Sequence, residues 1–207
     1  MFFRLSFLIL LAFAALPAQA KPAILVFGDS LSAGFGLPQR NRWVTLLERK
    51  LVEDGYDYRV VNASISGETT VGGKNRIENT LRKHKPEIVI VQLGANDGLR
   101  GARVADIRRN LSTIVGISKR SGAKVLVVGM EIPPNYGPDY TSGFYASFPE
   151  VARQHEVALV PFMLDGFAGN RALFQDDGIH PNLEAQPLVL DNIYRHLEPL
   201  LIRPSMH

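Results

Sequence analysis

Residues 24–31 read Ile-Leu-Val-Phe-Gly-Asp-Ser-Leu, an apolar run followed at once by a glycine, an acid and a hydroxyl. A short, unbroken apolar run of this kind is typical of a strand that is buried on both faces of a parallel sheet. In open α/β sheets, ligands bind beyond the carboxyl ends of the strands. The stretch therefore predicts a buried first strand with Ser30 at the functional edge of the sheet.

Four further apolar runs follow along the chain, over residues 58–63, 88–93, 125–130 and 157–162. Other stretches carry apolar residues at helical spacing, over residues 43–54, 107–117 and 185–198. Strands that alternate with helices indicate a parallel sheet whose crossovers pack on its two faces. The sequence predicts an α/β fold, a three-layer α/β/α sandwich around a central parallel sheet of about five strands.

Two segments interrupt this alternation. Residues 67–74 contain three glycines and residues 131–138 contain three prolines, so both are predicted to be irregular loops at the carboxyl edge of the sheet. Loops at that edge commonly form the walls of ligand sites. Apolar side chains in or beside the edge loops are candidates for a substrate pocket, namely Leu99, Pro134, Tyr136 and Ile179. Ordinary core packing is the alternative for about half of such residues.

The first 20 residues differ in composition from the rest of the chain. Arg4 gives a short positive region, residues 5–16 are apolar apart from Ser6, and residues 18–20 read Ala-Gln-Ala. This apolar stretch is too short for a transmembrane helix, so residues 1–20 are predicted to be a secretory signal peptide, with an uncleaved anchor as the alternative. Cleavage near Ala20–Lys21 would leave residues 21–207 as a single periplasmic or secreted domain.

Composition argues against several modifications and partners. The chain has no cysteine, so neither a disulfide nor a lipid-modified cysteine can form. Its formal net charge of +3 is small, and the basic residues are scattered, which argues against a nucleic-acid partner. No cluster of His, Asp and Glu has metal-ligand spacing, so no metal and no cofactor are expected. The expected protein is a monomer that acts on a small molecule, with at most transient contact with lipid.

A serine hydroxyl needs a positioned base before it can act as a nucleophile. Among five histidines, only His180 has a carboxylate placed to orient its ring, because Asp177 precedes it by three residues in a glycine-containing loop. An acid bonded to one ring nitrogen fixes the tautomer and stabilises the imidazolium that forms during acyl transfer. A simple loop turn is the alternative for an isolated Asp-x-x-His pair.

Acyl transfer also needs hydrogen-bond donors for the oxyanion that develops. Asn96 follows the third predicted strand and offers an amide, although Asn-Asp-Gly is also ordinary turn chemistry. Gly67 follows the second strand, where the lack of a side chain lets a substrate approach its N–H. The N–H of Ser30 is the third candidate donor. We expect Asp29 and Asp97 to serve in caps and turns instead.

Taken together, these peptides resemble those of the SGNH-type GDSL hydrolases, whose four eponymous residues match Ser30, Gly67, Asn96 and His180. Within that family the chain is similar to the bacterial periplasmic multifunctional esterases of the thioesterase, lysophospholipase and arylesterase kind. The resemblance implies a flavodoxin-like sandwich with Ser30 as nucleophile, His180 as base and Asp177 as its orienter. The N–H groups of Ser30 and Gly67 and the Asn96 amide would form the oxyanion hole, and acyl esters or thioesters would be the substrates.

The sequence leaves two alternative functions open. A carbohydrate O-deacetylase could use the same set of side chains, and a secreted module could bind a small ligand at this edge without chemistry. The nucleophile elbow of the α/β-hydrolases is absent, because the sequence around Ser30 reads Gly-Asp-Ser-Leu-Ser where that motif requires Gly-x-Ser-x-Gly.

Overall fold

The computed structural model describes residues 21–203, so the predicted signal peptide lies outside the described residues. Five strands form its sheet: β1 (Ala23–Gly28), β2 (Arg59–Asn62), β3 (Ile88–Gln92), β4 (Lys124–Val128) and β5 (Ala158–Val160). The α-helices are α1 (Ser30–Ala33), α2 (Trp43–Glu53), α3 (Thr70–His84), α4 (Ala95–Leu99), α5 (Val104–Arg120), α6 (Pro138–His155) and α7 (Gln186–Leu197). Short 3-10 helices lie at Gln39–Asn41, Pro134–Tyr136, Arg171–Leu173 and Glu198–Leu200.

All five strands are parallel and lie in the order β2-β1-β3-β4-β5. The chain moves from β1 to one edge of the sheet and then returns past β1 to build the other edge, so its winding direction reverses between β1 and β3. Sheets of this order bind ligands at that reversal, beyond the carboxyl ends of the strands. Gly28 pairs with Gln92 there, so the peptides that leave β1 and β3 begin side by side.

Helices cover both faces of the sheet. With right-handed crossovers, this strand order places α2 on one face and α3, α5 and α6 on the other. The packing agrees, because α2 contacts α7 whereas α5 contacts both α3 and α6. Every residue of β1 and β3 is buried, as a central strand covered on two faces must be. The predicted α/β/α sandwich with a five-stranded parallel sheet is confirmed.

The prediction that residues 67–74 form a loop is wrong for its second half. Helix α3 begins at Thr70, and the Thr69 hydroxyl caps it by accepting the N–H of Gly72. Gly73 allows close packing, since a Cβ there would lie 2.5 Å from Leu93 Cδ1. This glycine therefore serves a tight contact of α3, and of the three glycines only Gly67 lies in the loop.

Two other segments also differ from the sequence prediction. The proline-rich segment 131–138 contains a 3-10 helix at Pro134–Tyr136, and its last residue, Pro138, opens α6 at a position where the missing N–H costs no hydrogen bond. The peptide Asn96-Asp97-Gly98, for which turn chemistry was the alternative, lies inside the short helix α4.

None of the helices between residues 21 and 203 combines the length and the apolar character that crossing a membrane would require.

Candidate active site

Asp29 fixes the peptide that carries Ser30. It directly follows β1 and caps α1, since its Oδ1 accepts the Leu31 N–H at 3.0 Å and the Gln92 amide at 3.0 Å. Ser30 is therefore the first residue of a helix, next to a buried carboxyl. Complete burial raises the pKa of Asp29 to about 6, although the Leu31 N–H and the Gln92 amide act in the opposite direction. The capping role expected for Asp29 is confirmed.

Ser30, His180 and Asp177 form a continuous hydrogen-bonded chain. Ser30 Oγ lies 2.9 Å from His180 Nε2, and His180 Nδ1 lies 2.6 Å from Asp177 Oδ2. This is the geometry in which an imidazole takes a proton from a hydroxyl while a carboxylate orients its ring. The structure thus brings together three side chains that are up to 150 positions apart in sequence.

The loop around Asp177 explains how His180 is aimed. Asp177 Oδ1 accepts the N–H of Ile179 at 2.8 Å and the N–H of His180 at 3.0 Å, while Gly178 takes a positive φ of 71°. Burial alone would raise the pKa of Asp177. The two N–H groups and the imidazole outweigh it and lower that pKa to about 2. The Asp177 carboxylate is therefore ionised at neutral pH.

The expected oxyanion donors lie on two neighbouring segments, Gly67 in the loop after β2 and Asn96 in helix α4. Gly67 is exposed with a φ of 79°, and its carbonyl accepts the Arg100 guanidinium at 3.4 Å. The Asn96 amide donates to the Glu68 carbonyl at 3.0 Å, which ties α4 to the Gly67 loop and leaves its second hydrogen for another acceptor. Hydrogen bonds between the Gly67 loop and the segment around α4 thus hold both expected donors in place, which is what preorganisation requires.

A cavity of about 480 Å³ opens beside these groups. Ser30, Asn96 and His180 lie in its wall together with Asp29. The rest of the wall is mainly apolar and includes Leu99, Met130, Ile132, Pro133, Pro134, Phe162, Leu164, Phe174 and Ile179. A few polar groups at one end of an apolar cavity suit a ligand with a reactive head and a hydrocarbon tail.

Three of the four predicted pocket residues, Leu99, Pro134 and Ile179, line this cavity. Tyr136 does not: its hydroxyl donates to the Leu99 carbonyl at 2.8 Å and its ring packs on Tyr140 at 6.2 Å between centroids. It therefore supports the loop that carries Leu99. A direct substrate contact of any of the four stays a prediction.

Two of the wall residues that the sequence did not predict lie just beyond the ends of strands. The apolar runs 125–130 and 157–162 predict strands over their full length, whereas β4 stops at Val128 and β5 at Val160. The surplus residues Met130 and Phe162 lie beyond the sheet in the cavity wall. An apolar run longer than its strand is the signal that could have identified them.

The remaining described histidines lie elsewhere. His155 shares a 2.7 Å hydrogen bond with Ser112 on the α5–α6 contact, and burial with the Lys119 charge lowers its pKa. His84 and His196 also have lowered pKa values, chiefly because of burial. Among residues 21–203, no three His, Asp or Glu side chains are grouped closely enough to share a metal ion.

Comparison with known proteins places the chain in a family. A sequence profile of the GDSL-like lipase/acylhydrolase family matches residues 26–186. Esterase TesA of Pseudomonas aeruginosa is 48% identical over 182 residues, which cover 88% of this chain and 90% of that protein. Thioesterase 1/protease 1/lysophospholipase L1 of Escherichia coli is 39% identical over 199 residues, covering 96% of this chain and 93% of that protein.

A solved structure extends the likeness to three dimensions. A crystal structure of TesA superposes with a TM-score of 0.85 at 49% identity, and the match covers 86% of this chain and 99% of that one. The profile, the relatives and the superposition agree. The chain therefore belongs to the GDSL-like lipase/acylhydrolase family and is an ester-bond hydrolase.

Proposed function

We propose that this chain is a secreted serine esterase that hydrolyses acyl esters and thioesters through an acyl-enzyme on Ser30. The observation that carries the proposal is the hydrogen-bonded chain from Ser30 through His180 to Asp177 at the mouth of an apolar cavity. Each group has a geometry suited to one role in acyl transfer.

The reaction runs in two steps. Ser30 Oγ attacks the carbonyl carbon while its proton passes to His180 Nε2, and the N–H groups of Ser30 and Gly67 with the Asn96 amide hold the oxyanion. The tetrahedral intermediate collapses, the bond to the leaving group breaks, and His180 returns the proton to that group. Water then repeats the sequence on the acyl-enzyme and releases the acid.

Two variants test the mechanism. We expect Ser30→Ala to abolish the covalent step, and a fluorophosphonate probe to label the wild type at Ser30 only. His180→Ala should prevent labelling, because the hydroxyl loses its base. Mass spectrometry of the labelled peptide identifies the site. A Ser30→Ala protein that hydrolyses p-nitrophenyl butyrate at the wild-type rate would refute the assignment.

The apolar wall favours esters of longer acids over acetylated sugars. A two-carbon acetyl group would leave most of a 480 Å³ cavity unfilled, whereas each added methylene that is buried contributes about 0.8 kcal/mol. We expect kcat/KM to rise with acyl length in a series of p-nitrophenyl esters from acetate to octanoate. A preference for acetyl xylose over these esters would favour the O-deacetylase.

Secretion and monomeric state belong to the same proposal. The apolar segment 5–16 and the Ala-Gln-Ala peptide support export with cleavage after Ala20. Expression of the full sequence in a bacterial host, followed by mass measurement of the periplasmic form, should give a chain that starts at Lys21. Light scattering during gel filtration should give the mass of one such chain.

A further inference from the structure

An exposed aromatic ring covers the imidazole of His180. The centroids of the Phe35 and His180 rings are 4.7 Å apart and their planes meet at 36°, yet 51% of Phe35 remains exposed to solvent. The two-step reaction gives this ring no role. Because this exposed ring lies directly against the proposed base, it is placed where it could contact a bound substrate.

The backbone holds Phe35 in this position. Its N–H donates to the Ser30 carbonyl at 3.1 Å, and its own carbonyl accepts the Gln175 amide at 2.9 Å. Glycines flank it on both sides with φ values of 71°, a conformation in which any other residue would be strained. A Cβ at Gly36 would also lie 2.3 Å from Gln175 Oε1. The hydrogen bonds and the two positive φ angles thus fix the backbone that carries the ring.

Gln175 ties this turn to the loop of the base. Its backbone N–H donates to the His180 carbonyl at 2.8 Å while its side chain donates to the Phe35 carbonyl. One residue therefore sets the position of the ring relative to the imidazole. The contact joins the turn at Phe35 to a loop 140 residues later in the sequence.

The position of the ring indicates which part of a substrate it meets. The cavity wall includes His180 and Ile179 but not Phe35, so an acyl chain in the cavity would lie away from the ring. The leaving group must lie beside His180 Nε2, since that nitrogen donates the proton that the leaving oxygen or sulfur receives. Phe35 lies against the imidazole but outside the cavity, so a leaving group that points away from the acyl chain would meet its ring.

We propose that Phe35 forms the leaving-group subsite of this enzyme and selects apolar, preferably aromatic, alcohols and thiols. The inference rests on the proposed function, because it takes Ser30 as nucleophile and His180 as proton donor. The ring acts only in acylation, while the bond between the carbonyl carbon and the leaving atom is still present. Once the alcohol has taken the proton from His180 and departed, Phe35 has no partner in the acyl-enzyme.

A purely supporting role for Phe35 makes a different prediction. If the ring only oriented the imidazole, its removal would slow attack on every ester equally and would slow release of the acid as well. A subsite instead changes the ratio between esters of one acid that differ in their alcohol. The two roles are therefore separable by kinetics.

The test compares phenyl butyrate with methyl butyrate on wild type, Phe35→Ala, Phe35→Leu and Phe35→Tyr. For Phe35→Ala we expect kcat/KM to fall about fivefold on the phenyl ester and less than about twofold on the methyl ester, within the range that aromatic pairs contribute. The ratio of kcat/KM on the phenyl ester to kcat/KM on the methyl ester should be intermediate between wild type and Phe35→Ala in Phe35→Leu. In Phe35→Tyr this ratio should equal that of the wild type. Val52→Ala, which removes part of an apolar side chain that is 69% exposed on α2, is the matched control.

Inactivation by a fluorophosphonate separates failure of this inference from failure of the mechanism. Fluoride is too small to meet the ring, so the rate of labelling at Ser30 should be the same in wild type and Phe35→Ala. A slower rate, or an equal fall on both butyrate esters, would assign Phe35 to positioning and overturn the subsite. Absence of labelling in the wild type would overturn the proposed function itself.

Discussion

At the scale of single residues, the contact between Ser30 and His180 depends on two carboxylates that bind backbone N–H groups. Asp29 caps the helix that Ser30 begins, and Asp177 accepts two N–H groups of the turn that leads to the imidazole. Each acid lies one to three residues from the group it positions. Local bonds of this kind are what make a short peptide such as Gly-Asp-Ser-Leu a specific structural signal.

The donors proposed for the oxyanion give the first quantitative expectation at this scale. Removing one preorganised donor typically lowers turnover about 10²–10³-fold, so Asn96→Ala should lose that much in kcat with little change in KM. Steady-state kinetics on p-nitrophenyl butyrate measures both constants. Asn75→Ala, at an exposed position on α3, should leave kcat unchanged. A fall in kcat below tenfold for Asn96→Ala would mean that its amide does not face the oxyanion.

At the scale of elements, the sequence pattern predicts the position of each strand more accurately than the residue at which the strand ends. Residues 125–130 are apolar throughout although β4 ends at Val128, because the sheet and the cavity wall both select apolar side chains. The start of α3 is not predicted either, because Gly73 suggests a loop although it serves close packing against Leu93. Composition alone cannot separate these uses, since each depends on a neighbour that is distant in sequence.

Helices α3, α4 and α5 are joined by one buried polar cluster. Asp97 accepts the Thr70 N–H at 2.9 Å and the Thr70 hydroxyl at 2.6 Å, and Asn110 donates to that hydroxyl at 3.2 Å. Asp97 and Thr70 are both buried, so the bonds are shielded from water. Asp97 was expected to serve in a local cap or turn, whereas here it accepts the N–H of Thr70, the first residue of the distant helix α3.

This cluster predicts a large loss of stability from one substitution. Asp97→Ala leaves the Thr70 N–H and hydroxyl buried without an acceptor, so the free energy of unfolding should fall by about 3 kcal/mol. Asp106→Ala breaks two ion pairs on the surface of α5 and should cost much less, because exposed ion pairs contribute little to stability. Urea denaturation of both variants at neutral pH tests the contrast. Equal losses would show that the cluster adds nothing beyond surface pairing.

At the scale of the whole molecule, the site depends on contacts that no local pattern contains. The strand order brings Ser30 to His180 across 150 positions, and Gln175 brings Phe35 over the same imidazole. Alternating strands and helices were enough to predict the sheet and the edge at which the four peptides meet. The placement of Phe35 and the exclusion of Tyr136 from the cavity follow from loop packing, which one sequence does not specify.

Two buried or bonded acids should give the unfolding free energy an unusual pH dependence. Asp177 has a pKa of about 2 in the folded chain, below its ordinary value near 3.8, so its contribution is present above pH 4 and is lost as the pH falls toward 2. Asp29 has the opposite shift, to about 6, because burial penalises its charge. Between pH 4 and 6 the folded chain holds a proton on Asp29 that the unfolded chain has released, so stability falls as the pH rises.

The size of the second effect makes Asp29→Asn the deciding variant. A shift from 3.8 to about 6 corresponds to about 3 kcal/mol at about 1.4 kcal/mol per pKa unit. An asparagine keeps an oxygen for the Leu31 N–H but cannot ionise, so the variant should gain about that much relative to wild type between pH 4 and 6. The three histidines with lowered pKa values make both proteins more stable as the pH rises, so they cancel in the difference. Urea midpoints at pH 4, 5, 6 and 7 measure that difference, with Asp177→Asn as a control that should be less stable than wild type by a constant amount across this range. If wild type and Asp29→Asn keep a constant difference across this range, then Asp29 does not hold its proton in the folded chain, and the carboxyl that caps Ser30 is ionised throughout.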